Sequence, residues 1–166
     1  VAVTLIQALA GADKMDLVIQ KAVELGVTRI VPVLTERSVA RLDGARAEKR
    51  LAHWQGGGVA ACAQCGRNRL PEVTALAPLR ERLAETQRAA ARWILLPDAE
   101  QTLRGLTKPD GEIALLVGAE GGFTSAEQFA ARAQGFVPVR LGSRVLRTET
   151  AGLAALAAIQ ALWGDF

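Results

Sequence analysis

The run Ile113-Ala-Leu-Leu-Val117 contains no polar residue, and it constrains the fold more than any other feature of this chain. A strand that is polar on neither side needs cover on both. Antiparallel meanders seldom provide that cover, whereas parallel sheets flanked by helices do. The same signature recurs at Trp93-Ile-Leu-Leu96, closed by Pro97, at Arg29-Ile-Val-Pro-Val-Leu34, and at the first strand marked by Val3, Leu5 and Ile6. A further strand is expected over Val137–Leu141. Pro32 lacks a backbone N–H, so it argues that its strand lies at an edge or ends there.

Helical patterns separate these runs. Asp13 is placed to cap KMDLVIQKAVEL, whose Leu17, Val18, Ala22 and Leu25 keep helical spacing, and Gly26 stops it. A polar loop is expected over 35–44, and a helix over 45–63. Gly56, Gly57 and Gly58 interrupt that helix, each costing about 1 kcal/mol relative to alanine, and predict a kink, a break or a close backbone approach. Residues 66–77 read as a connection and Leu79–Arg92 as a charged amphipathic helix. Thr124 with Glu127 forms a capping box that starts a helix running to Ala133, ended by Gly135. The fold class is therefore α/β, a parallel sheet with helices on both faces.

At 166 residues the chain can bury one real core as a single domain, 1–166. Its apolar half is broken into short runs, so no membrane span is expected. The first residues lack a basic leader region, so no signal peptide is expected, and a cytoplasmic location follows. A net charge of +3 permits nucleic acid as a partner without demanding it. Cys62 and Cys65 form one CxxC, and with His53 as the single histidine a four-ligand zinc site of the usual kind is out of reach. Their flanks read as a helix end, so reduced, structural thiols are expected.

Two loops carry the chemistry. VGAEGG, residues 117–122, follows a buried strand and precedes a capped helix, where sheets of this class bind ligands. It is neither GxGxxG nor a P-loop, which excludes nucleotide hydrolysis of the P-loop type. A tight turn with one exposed glutamate is the plainer alternative. LGSRVLRTET, residues 141–150, follows the next strand. Glu149 is either a general base or a helix-terminal charge. Arg144 and Arg147 hold a phosphate, polarise a carbonyl, or pair with Glu120 and Glu149. Arg67 and Arg69, after the CxxC, are either solvated beside a helix cap or a small patch for RNA phosphates. The last helix, AGLAALAAIQALW, is apolar all round, which predicts burial against both its own domain and a second copy of the chain, a homodimer.

LLVGAEGGFTSAE and LGSRVLRTETAGLAALAAIQ resemble the two C-terminal motifs of the bacterial small-subunit ribosomal RNA (uracil-N3)-methyltransferases, a family of the SPOUT class. DKMDLVIQKAVELGV, TERS and AACAQCGRNRLPE are similar to further segments of that family in the same order, so the resemblance covers essentially the whole chain. It implies an enzyme dependent on S-adenosyl-L-methionine that makes 3-methyluridine in small-subunit ribosomal RNA, acting on the RNA or on the small ribosomal subunit. It also implies a deep C-terminal trefoil knot, which strand and helix patterns alone would not suggest, since knots are nearly absent from proteins. The resemblance places the methyl donor on Leu96 and Pro97, on Val117, Gly118, Glu120, Gly121 and Gly122, and on Leu141, Gly142, Val145 and Leu146. It leaves Arg144, Arg147 and Glu149 facing RNA or the partner subunit. Two departures stand out: Ala119 where relatives carry proline, and the Gly56–Gly58 run. The family also has an N-terminal RNA-recognition domain, and this chain is expected to begin after it.

Methylation at uracil N3 requires removal of a proton or stabilisation of the developing anion. Arg147 is the candidate stabiliser, and Glu149 or Glu120 the candidate base. The rival readings are a non-catalytic RNA-binding or ribosome-associated module of the same fold, and a SPOUT enzyme acting on transfer RNA.

Overall fold

The computed structural model describes residues 1–38 and 43–166, so the middle of the loop expected over 35–44 lies outside the described residues. Strands β1 (Val3–Ala8), β2 (Arg29–Leu34), β3 (Glu72–Val73), β4 (Ala77–Pro78), β5 (Ala91–Leu95), β6 (Ile113–Val117) and β7 (Val137–Val139) form one seven-stranded sheet. Helices α1 (Ala12–Glu24), α2 (Gly44–Cys65), α3 (Leu79–Ala84), α4 (Ser125–Ala133) and α5 (Thr148–Trp163) connect and cover it. The order is β3-β2-β1-β6-β5-β7, with β4 also on β2, and the strands pair in parallel.

Alternation along each strand sorts the core into two layers. Leu5, Ile30, Leu115 and Val117 face Met15 and Ile19 of α1, Trp54 of α2, and Leu156 and Ile159 of α5. Ile6, Val31, Ile94 and Leu116 face Leu83 of α3 and Phe123, Ala131 and Phe136 around α4. All five residues of β6 are buried, as its uninterrupted apolar run demands.

The expectation for Pro32 needs correction, because β2 is an interior strand. The Val33 carbonyl accepts from Leu9 on the β1 side, and the Ile30 carbonyl accepts from Thr74 on the other. Alternation therefore turns Pro32 away from β1, toward the break between β3 and β4, where no ladder donor is needed.

The Gly56–Gly58 run does not break α2, which is continuous through it. A Cβ on Gly56 or Gly57 would meet nothing within 4 Å, and one on Gly58 would make only ordinary contact with Val73 at 3.9 Å. Cys62 and Cys65 end this helix as free thiols before Gly66, whose φ of 77° makes it the left-handed cap.

Other boundaries differ from expectation as well, and β7 ends at Val139, not Leu141. Helix α1 starts after Gly11, not Asp13, because Met15 already donates to the Gly11 carbonyl. The connection 66–77 contains β3 and the start of β4, strands too short to show a period. The helix expected over Leu79–Arg92 stops at Ala84. There Thr86 donates its hydroxyl to the Leu83 carbonyl, and the Arg92 guanidinium, sitting on β5, collects the carbonyls of Thr86, Gln87 and Ala89. Helix α5 buries Gly152, Ala155, Leu156, Ile159 and Gln160, while its other side is only partly covered and Leu162 is exposed, so a single chain does not bury it all round.

Candidate methyl-donor cavity

The carboxyl ends of β5, β6 and β7 open into one cavity of about 570 Å³. That is the size of a pocket for a nucleoside-sized ligand, at the place where parallel sheets bind ligands. Leu96 and Pro97 follow β5, Val117 and Gly118 close β6, and Leu141 and Gly142 follow β7. Glu120 and Gly122 extend the second loop, and Arg144, Val145, Leu146, Arg147 and Glu149 complete the third wall. The two loops singled out by their sequence thus face each other.

The floor is fixed by a buried polar chain. Gln7 of β1 donates to the Thr148 hydroxyl at 2.9 Å, and that hydroxyl donates to the Gly118 carbonyl at 2.5 Å. Thr148 begins α5, so this chain locks the start of the last helix to the end of β6. Gly152, one turn on, lets α5 approach the sheet: a Cβ there would sit 3.3 Å from Leu5 and 3.5 Å from Val117. Gly118 is likewise crowded, with the Phe123 ring 3.1 Å from a Cβ position, so the loop can fold back on itself. A Cβ on Gly142 would meet open space.

The two candidate bases differ in surroundings. Burial would raise the Glu120 carboxyl, but hydrogen bonds from its own backbone, from Gly11 and from Lys14, with the Lys14 charge, outweigh it and hold it below the ordinary glutamate value. Its Oε1 lies 3.1 Å from the Gly11 nitrogen and 3.2 Å from Lys14 Nζ. Glu120 is therefore a weakened base. Glu149 Oε2 is buried and has no hydrogen-bond partner among the described residues. A buried acceptor left unpaired costs free energy, which a ligand donor at this position would recover. Arg144 and Arg147 are exposed on the rim, and Val145 is 77% exposed.

Three residues singled out by the sequence lie outside the cavity. Gly121 is packed against Arg37, which donates to its carbonyl at 3.0 Å. Arg67 turns its guanidinium onto the Val23 and Val27 carbonyls at 2.8 and 2.9 Å, at the end of α1. Arg69 is exposed shortly before β3, the strand at the edge of the sheet opposite β7. Sequence reasoning passed over Lys14, Thr148 and Phe123, all of which line the cavity, and Gln7 behind it. A buried glutamine in a strand whose other inward residues are mostly apolar was the one available signal. Among the described residues no group of three His, Cys, Asp or Glu side chains is placed to hold a metal. No helix among them is long and apolar enough to cross a membrane.

Comparison with known proteins gives this site its context. Residues 1–160 match the family model described as an RNA methyltransferase domain. The fold is similar to the crystal structure of a ribosomal RNA small subunit methyltransferase E from Neisseria gonorrhoeae bound to S-adenosyl methionine, at a TM-score of 0.95 and 48% identity, covering 100% of this chain and 69% of that one. It is also similar to a methyltransferase from Legionella pneumophila in complex with the same cofactor, at a TM-score of 0.91 and 36% identity over 98% of this chain and 66% of that one. A curated ribosomal RNA small subunit methyltransferase E from Buchnera aphidicola is 33% identical over 160 residues, 96% of this chain and 63% of that protein. The Bacillus subtilis relative of the same name is 34% identical over 91% of this chain and 62% of its own length. The chain thus spans a little under two thirds of the curated relatives it matches. It belongs to the RNA methyltransferase domain family, in the branch of ribosomal RNA small subunit methyltransferase E.

Proposed function

We propose that this chain is the S-adenosyl-L-methionine-dependent catalytic domain, 1–166, of an enzyme that methylates N3 of a uridine in small-subunit ribosomal RNA. The observation that carries this reading is the cavity itself, built from three consecutive strand ends and lined by both family motifs. The named relatives in Neisseria and Legionella hold the same cofactor. The lining fits such a ligand: apolar walls from Leu96, Leu141 and Leu146 suit an adenine ring, and open space beside Gly142 admits close backbone approach. When bound, the cofactor supplies an activated methyl group on its sulfonium.

The protein's own part is positioning, a base and a cation. Glu149, which lines the cavity and keeps one oxygen without a partner among the described residues, acts as the base that takes a proton from uracil N3. Glu120, whose carboxyl is held low by Gly11 and Lys14, serves better as a fixed part of the wall. Arg147, exposed at the start of α5, acts as the cation that stabilises negative charge on a uracil carbonyl or a neighbouring phosphate, and Arg144 extends that rim toward RNA. Arg69 is exposed, so it can meet RNA phosphates, whereas Arg67 is engaged within the protein.

A threaded C-terminus accompanies this reading. Val139 accepts from Leu96 on one side, while Arg140 exchanges hydrogen bonds with Gln101 and Leu103 on the other. The connection from β5 to β6 therefore passes outside the end of β7, and the chain continues inward to α5, a course that supports a trefoil knot. The half-covered side of α5, with Leu153, Leu162 and Trp163, supports a homodimer through that helix. A ribosomal substrate places the work in the cytoplasm.

The test is incubation of the protein with small ribosomal subunits, or with their free RNA, and isotopically labelled S-adenosylmethionine, followed by mass spectrometry of nucleosides. Labelled 3-methyluridine is the expected product. Cofactor binding by calorimetry without any labelled nucleoside would favour a non-catalytic module, and label in transfer RNA alone would move the substrate.

A further inference from the structure

The Thr35–Ser38 turn lies outside the cavity, yet it holds both the Gly118–Phe123 loop and the first turn of α4. Arg37 Nη1 donates to the Gly121 carbonyl at 3.0 Å and to the Phe123 carbonyl at 3.4 Å. In the same sense, the Glu36 backbone N–H donates to Glu127 Oε2 on α4 at 3.0 Å. The other oxygen of Glu127 takes the Thr124 N–H at 2.9 Å, which completes the capping box of α4. A helix cap needs only that second bond and works on an exposed side chain. Glu127 is instead 4% exposed, and burying a carboxylate is costly unless its oxygens are satisfied. Here burial and the reach to Glu36 go beyond what capping requires.

The turn is also built in advance. Ser38 donates its backbone N–H to the Thr35 carbonyl, and the two hydroxyls lie 2.9 Å apart. Gly121 completes the fit: a Cβ there would come within 3.0 Å of Arg37 Cβ and 3.5 Å of the Arg37 carbonyl oxygen. The glycine in third place of AEGGF thus makes room for the turn, while its neighbours Glu120, Gly122 and Phe123 line the cavity.

We infer that the Thr35–Ser38 turn is a clamp on the ligand loop, and that Arg37 and Glu127 are positioning residues for the methyl-donor site. This rests on the methyl-donor reading of the cavity given above. Glycine-rich segments lose much conformational freedom when ordered. Holding the loop from outside removes that loss from ligand binding, so the clamp acts on affinity.

The test compares Arg37→Ala and Glu127→Gln with wild type and with Arg88→Ala, an exposed arginine on neither element. Affinity for S-adenosylhomocysteine is measured by calorimetry, and thermal midpoints are recorded beside it. Hydrogen exchange at the Gly122 and Thr124 amides is followed in the ligand-free protein. Loss of a charged donor to two carbonyls is expected to weaken binding about tenfold, in folded protein, with faster exchange at both amides. Glutamine keeps one acceptor oxygen, so Glu127→Gln should show a smaller effect of the same kind. Unchanged exchange, or faster exchange with wild-type affinity, would overturn the inference. Failure of the wild-type chain to bind would instead count against the methyl-donor reading, and exchange alone would then decide whether the clamp exists.

Discussion

Thr148→Val probes how the cavity floor is built. Valine matches threonine in shape and stays β-branched at a buried position, so the change isolates the hydroxyl. That hydroxyl donates to the Gly118 carbonyl and accepts from Gln7 Nε2. Without it the Gly118 carbonyl has no donor, and Gln7, which is 0% exposed, keeps only its bond to the Ala8 carbonyl at 3.0 Å. Gln7 Oε1 already has no partner among the described residues, so the glutamine cannot recover by turning over without orphaning its amide. Each of these two buried groups costs about 1–3 kcal/mol, which puts the total at about 2–6 kcal/mol. For a chain of this size that lowers the thermal midpoint by about 4–24 °C. Thr148→Ser is the control, since it keeps the hydroxyl and loses one buried methyl, about 1 kcal/mol. Circular dichroism melts and urea titrations at constant m-value measure both. A valine variant that melts at or above the serine variant would refute the claim that this hydroxyl fastens α5 to β6.

Other expectations follow from the same geometry. Gly56→Ala with Gly57→Ala should stabilise the chain by about 1–2 kcal/mol in a urea titration, because both are exposed within α2 and have open space at Cβ. Gly152→Ala should do the opposite despite alanine's better helix propensity, since overpacking against Leu5 and Val117 costs about 1–3 kcal/mol. The Glu120 carboxyl is held below its ordinary value, so its contribution is present above that value and is lost as pH falls through the lowered one. Melts of Glu120→Gln and wild type should therefore differ at neutral pH and converge in acid, and a gap that persists in acid would contradict the pairing with Gly11 and Lys14. Arg147→Ala should leave calorimetric cofactor affinity intact while methyl transfer falls about a hundredfold or more, and unchanged turnover would remove Arg147 from the mechanism.

Much of the architecture was legible locally. The bounds of β2 and β6, the capping box at Thr124 and Glu127, and the stops at Gly26, Gly66 and Gly135 all sit where spacing and turn chemistry put them. The two ligand loops were legible for the same reason, as breaks between a buried strand and a helix. The departures are places where a distant partner overrode a local signal. Arg92 reads as the outer face of a helix, but its guanidinium gathers three carbonyls from the turn before β5 and ends α3 early. Arg67 reads as a solvated or RNA-facing cation, but α1 and the turn after it supply the Val23 and Val27 carbonyls.

The sequence by itself therefore determined the order of the longer strands and the helices, the parallel sheet, and which two loops carry polar chemistry against buried elements. These follow from periodicity, caps and turns, whose range is a few residues along the chain. Only the tertiary structure decided what those loops touch. It paired Glu120 with Gly11 and Lys14, leaving Glu149 with a buried, unpartnered oxygen, and it set Thr148 on Gln7 and Gly121 against Arg37. Charges and hydroxyls bond whatever the fold brings within about 3 Å, and in this parallel sheet those neighbours come from strands and turns 84 to 141 residues apart in the chain.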